Sequence, residues 1–154
     1  IKIDDYMITE TLIILFTRDL QKLHQEIDLY DDENNIWKIE GEISNSAGNL
    51  CLHLIGNLNF HIGKQIGKTD YVRNRELEFS LKHIPKAELL EKIDETIIVV
   101  GSSLGKLTQE ELDSEYPVKV FDTMTSTEYL LVHLATHLSY HLGQINYHRR
   151  LLDK

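Results

Sequence analysis

In the stretch VHLATHLSYHLGQINYHRR, residues 132–150, His133, His137, His141 and His148 follow at intervals of four, four and seven. Such intervals are close to whole turns of an α-helix, so a helical segment places all four imidazoles on one narrow stripe. Neutral imidazole is a metal ligand, and two histidines four apart on a helix can aim their ring nitrogens at one ion. Three in a row cannot easily do so. Each step of four climbs about 6 Å, which separates His133 from His141 by about 12 Å along the axis, against zinc–nitrogen bonds of about 2 Å. One adjacent pair must therefore be chosen, and a further ligand must come from another helix. His53, within LCLHLIGNL, is the natural candidate, because it lies beside Leu50, Asn57 and Phe60 at the edge of an apolar stripe. Three neutral imidazoles plus a water form an open site suited to zinc or nickel, which eases ionisation of a bound water or thiol.

Each histidine also has an ordinary reading. A lone histidine on an apolar face is more often a core residue bonded to a carbonyl, and H-x-x-x-H alone is a common pattern. Four on one face, with a fifth on a second helix, tip the balance toward metal. His24 and His61 are assigned to the surface or bundle rim, and His83 to a long connection. The chain contains no Glu-x-x-His, which disfavours a carboxylate-bridged di-iron centre, and no H-E-x-x-H, which disfavours a zinc protease. Cys51 is the one cysteine and cannot form an intrachain disulfide. Between Leu50 and Leu52 it reads better as a small buried residue than as a nucleophile.

The elements that must position these residues are helical. Apolar residues at Ile8, Leu12, Leu15, Phe16, Leu20, Leu23, Ile27 and Tyr30 keep a helical period from Asp4 to about Tyr30. IWKIEGEI then alternates briefly, as a short strand or loop. A second helix is expected from about Ser46 to Ile66, with Gly56, Gly63 and Gly67 weakening its later part. GKTDYVRNRELEFSLKHI is polar and aperiodic, suited to a long connection. Pro85 opens a third helix to about Val100, with Leu89, Leu90, Ile93, Ile97 and Ile98 inward. After an irregular stretch with a short helical turn at TQEEL, Ser126 or Thr127 caps a fourth helix running to about Leu152. Four long helices with extended connections predict an all-α four-helix bundle, residues 1–154 forming a single domain. On the last helix Leu130, Leu134, Tyr140 and Leu151 lie on or beside the histidine stripe, which turns it to the core. Leu131, Val132, Ala135, Ser139, Leu142 and Gly143 make the opposite side too apolar for simple exposure. Small residues spaced by four there predict a homodimer.

Composition narrows the function. Sixteen Lys and Arg against 25 Asp and Glu give a formal charge of −9, which repels a phosphate backbone, so no nucleic-acid partner is expected. No apolar run approaches the roughly 20 residues needed to span a bilayer, so no membrane role is expected and the protein is placed in the cytoplasm.

HLATHLSYHLGQINYHRRLL, with His137, His141, Gly143 and Gln144 in the order H-x-x-x-H-x-G-Q, resembles the C-terminal helix of the DinB/YfiT-like family of metal-binding bundles. LCLHLIGNL around His53 is a second match. DYVRNRELEFS, with Arg73, Arg75, Glu78 and Phe79, is similar to an uncharacterised branch in which R-x-R-x-x-E-F follows the second helix. The resemblance implies one divalent ion held by His53, His137 and His141. It leaves His133 as a pocket-lining residue or supporting donor, and Gln144 as a group steadying His141 or a ligand water. It also implies a metal-dependent transferase that joins a low-molecular-weight thiol to a small electrophilic substrate, in a pocket among Phe60, Tyr140 and His133. Rival expectations are a non-catalytic metal-binding or stress-response module and a metal-assisted hydrolase. Arg73 and Arg75 either anchor carboxylates of a thiol cofactor or form an ordinary salt bridge with Glu76 or Glu78.

Overall fold

The computed structural model describes residues 7–154. Six α-helices follow in order: α1 Ile8–Asp28, α2 Ala47–Leu58, α3 Arg75–Ser80, α4 Lys86–Leu104, α5 Gln109–Asp113 and α6 Thr127–Leu152. Among the described residues there is no strand beyond an isolated antiparallel bridge between Glu115 and Ser126, so the fold is all-α. α1 and α2 each pack against both α4 and α6, and the core lies between these four. Phe16, Leu20 and Leu23 enter it from α1, Leu54 and Leu58 from α2, Leu89 and Ile93 from α4, and Leu130, Leu134 and Leu138 from α6. Among the described residues no helix is long and apolar enough to cross a membrane.

The helices start where short polar side chains satisfy the unpaired backbone N–H groups of a first turn. Ser46 accepts from Asn49 N, Asn74 from Leu77 N and Ser126 from Tyr129 N, while Thr108 and Glu111 cap α5 reciprocally. Pro85 precedes α4, where its missing N–H is not needed.

α2 is the central helix, with every residue from Ala47 to Leu58 buried. Two of its glycines permit that enclosure. A Cβ on Gly48 would lie 2.6 Å from the Trp37 ring, and one on Gly56 would collide with the Glu78 carboxylate. Trp37 comes from a 3₁₀ turn, Glu33–Trp37, so IWKIEGEI holds no strand. Beyond Leu58 the helix widens into a π-turn, Asn59–Lys64, ending short of Ile66.

Four further details differ from the periodic pattern. The first turn expected from Asp4 lies partly outside the described residues, and α1 is seen from Ile8. The polar stretch after α2 contains α3, because Asn74 caps it and the buried Asn49 amide donates to the carbonyls of Glu78 and Leu81. α4 continues past Val100 to Leu104, and its Ile98 is 69% exposed. On α6, Tyr140 and Leu151 point outward, while Leu131 and Leu142 from the supposedly outer side are buried. These edges differ because α6 packs against both α1 and α2 and so buries an arc wider than the histidine stripe.

Candidate metal centre

Three imidazoles converge between α2 and α6. His137 Nε2 stands 3.2 Å from His53 Nε2 and 3.1 Å from His141 Nε2, and all three ligand atoms lie within 4.8 Å of one another. For bonds of 2.0–2.1 Å in a tetrahedral shell, neighbouring ligand atoms are about 3.3 Å apart. The two short separations match that edge. His53 is 7% exposed, whereas His137 and His141 are half-buried at the open side.

Supporting hydrogen bonds set the proton positions. His53 Nδ1 lies 3.0 Å from Glu78 Oε2, and an ionised carboxylate only accepts, so Nδ1–H donates and Nε2 keeps its lone pair. His141 Nδ1 donates in the same way to Gln144 Oε1 at 2.6 Å. Two lone pairs thus face His137 Nε2, where a single proton can satisfy only one of them well; a cation satisfies all three. His137 Nδ1 is buried without a partner among the described residues, so no bond at that nitrogen fixes the ring's tautomer.

Electrostatics keeps the His137 and His141 rings uncharged. Burial, then the neighbouring His141 and His53 rings, push His137 down to about 4. Burial also lowers His141, against an opposing bond to Gln144. For Glu78, burial alone would raise the carboxyl, but bonds from His53 and Arg73 outweigh it and hold it below the usual carboxylate range. Arg73 Nε donates to Glu78 Oε1 at 2.6 Å and its Nη2 to Oε2 at 3.0 Å. This is the ordinary salt bridge weighed for Arg73; Arg75 is exposed. The sequence offers Glu78 as a partner for the arginines; its bond to His53 comes from the connection, 25 residues along the chain, and the signal for it is the spacing of Arg73 and Glu78 in R-x-R-x-x-E-F.

The other expected site residues are scattered. His133 is half-buried, its ring stacked 6.2 Å from His137 and edge-on to Phe121 at 4.8 Å. Tyr140 is 66% exposed with its ring 5.4 Å from His141, so it lines the outer rim. Phe60 packs edge-on to His61 at 4.9 Å. Asn57 is buried with Oδ1 unpartnered. A cavity of about 540 Å³ does adjoin the centre, lined by Asn45, Leu50, Tyr140, His141, Gln144 and Tyr147. His148, on the same stripe, belongs to the core: Tyr30 Oη bonds its Nδ1 at 2.6 Å, and its Nε2 donates to the Lys38 carbonyl at 2.8 Å.

His61 is 7% exposed, not at the rim, because the π-turn carries it inward against Tyr116. His24 is half-buried near Asp94, and His83 is exposed in the connection before α4. Cys51 is fully buried, and burial pushes its thiol up to about 12, so it is no nucleophile.

The fold and this cluster define an all-α protein with a three-histidine candidate metal centre. Residues 6–154 match the model of a family described as "Protein of unknown function (DUF1572)", and the chain belongs to that family. It is also similar in fold to a solved structure, "Crystal structure of the conserved protein of locus from Enterococcus faecalis". The two agree with a TM-score of 0.73 at 16% identity, over 96% of this chain and 98% of that one. Comparison with curated proteins gives no match.

Proposed function

We propose that the protein is a metal-dependent enzyme built as a DinB-like four-helix bundle, with His53, His137 and His141 holding one zinc or nickel ion. The observation that carries this is the convergence of three imidazoles, with His137 Nε2 at tetrahedral-edge distance from both His53 Nε2 and His141 Nε2, and those two nitrogens kept proton-free by Glu78 and Gln144. Among the described residues no acid or thiol joins the set, which suits an open position and favours catalysis over a closed structural site.

The reaction proposed is transfer of a low-molecular-weight thiol to a small electrophile. A bound divalent ion supplies positive charge that lowers the pKa of a thiol brought to it. Glu78 holds the His53 proton on Nδ1 and is itself fixed by Arg73, so the α2 ligand stays oriented. Gln144 does the same for His141 from the exposed side. The cavity beside His141 admits the reactants, with Leu50 and the rings of Tyr140 and Tyr147 for apolar parts and Asn45 for polar ones.

The test is the visible spectrum of cobalt(II)-loaded protein titrated with small thiols. A thiolate-to-cobalt absorption that saturates, followed by alkylation of the thiol faster than in free solution, supports the reading. Cobalt bound with its spectrum indifferent to every thiol overturns the thiol reaction and favours a metal-binding module.

A further inference from the structure

His61 lies outside the three-histidine set, yet it is prepared in the same manner. Tyr116 Oη donates its only proton to the His61 carbonyl at 2.9 Å. The same oxygen is 3.1 Å from His61 Nδ1, so it can only accept there, and Nδ1 carries the proton. Nε2 is left with a bare lone pair and no partner among the described residues. Tyr116 is 1% exposed and pinned by its N–H to the Thr125 carbonyl at 2.9 Å, next to the Glu115–Ser126 bridge. The same connection carries Phe121 onto His133.

The position is as specific as the protonation. His53, Asn57 and His61 are spaced by four along one side of the central helix. In a regular helix each such step drifts by about 40°. The π-turn Asn59–Lys64 rotates less per residue, so His61 stays nearly in line with Asn57. Such turns are unfavourable in isolation and occur disproportionately at functional sites. Asn57 is 8% exposed, with a buried Oδ1 that no group among the described residues bonds. Burial first, and then Arg73 and His133, oppose a charge on His61. It therefore remains a neutral acceptor and is a poor proton store at neutral pH. An acceptor on Asn57 and another on His61, one turn apart and without donors, fit a molecule that brings its own.

We infer that the His53–Asn57–His61 face is a ligand subsite adjoining the three-histidine centre, taking the hydroxyl or amino donors of the molecule bound there. The inference rests on the proposed thiol-binding centre and adds that the thiol bears such donors beyond its sulfur.

The test uses 4-mercapto-1,2-butanediol, whose two hydroxyls can donate to both acceptors, and butanethiol on zinc- and cobalt-loaded protein, with ring ¹⁵N spectra of His61, side-chain amide spectra of Asn57 and the cobalt absorption. Expected are an unprotonated Nε2 on His61, shifts at His61 and Asn57 with the hydroxylated thiol alone, and about tenfold tighter binding of it. Tyr116→Phe, which frees the His61 tautomer, and Asn57→Leu should each abolish that preference while cobalt stays bound. A protonated Nε2, or equal binding of both thiols with no shift at His61 and Asn57, overturns the subsite even if cobalt responds. Shifts at His61 and Asn57 without a cobalt response keep the subsite and sink the thiol reading of the metal; no response anywhere sinks both.

Discussion

α2 and α6 bring imidazoles to the same point under opposite conditions. α2 is buried on every side, and its His53 is backed by the Glu78–Arg73 pair, itself almost entirely out of water. α6 offers its pair at a half-open edge, where the backing group Gln144 is exposed. The buried half holds His53 in one direction, whereas the half-open edge leaves His137 and His141 freer to shift. Mutations should therefore separate fold from chemistry on α6 and entangle them on α2.

The largest contrast is between the two backing residues. Glu78→Ala strands Arg73 and leaves His53 unsupported, which should destabilise the fold by about 3–5 kcal/mol. Gln144→Ala should stay within about 0.5 kcal/mol. Thermal unfolding of both variants measures the difference, and equal losses would erase the distinction between the halves. With shape retained, Glu78→Gln should weaken zinc binding by about 10–100-fold in competition with a chelator, and Gln144→Ala by an amount near the lower end.

Acid sharpens the comparison further. Burial lowers His61 to about 4, against about 6.5 in the unfolded chain. Below about 6.5 the unfolded state takes up the proton and the native state does not, so stability present above that pH is lost as pH falls toward 4. By pH 5 the loss is about 1–2 kcal/mol, and His61→Gln should flatten this part of a denaturant-midpoint profile. His148, lowered mainly by burial, adds to the same limb.

A small effect of opposite sign belongs to the outer side of α6. A Cβ on Gly143 meets nothing within 4 Å, so Gly143→Ala should stabilise an isolated chain by about 0.5–1 kcal/mol through helix propensity. If two chains pair through Ala135, Ser139 and Gly143, as we propose, the same change should instead weaken association in sedimentation experiments.

Much of this architecture is legible in the amino-acid order because the long helices obey local rules. Apolar period, Pro85 and the Ser126 cap locate α4 and α6, and the spacing of His137 and His141 places both on one face. What could not be read depends on contacts distant in sequence. α3 exists because Asn49 and the Asn74 cap hold a polar segment that has no period of its own. Glu78 reaches His53 only because Gly56 leaves space for its carboxylate. A regular helix would carry His61 to the rim, whereas the chain forms a π-turn there.

The central claim is that His53, His137 and His141 hold one cation. Elemental analysis of untagged protein, beside His53→Ala, His137→Ala and His141→Ala, tests it most directly. The account predicts one zinc or nickel per chain, lost in His137→Ala and His141→Ala with the helical circular dichroism unchanged. Stoichiometric metal that survives His137→Ala, or a metal-replete chain that takes up none, would contradict it.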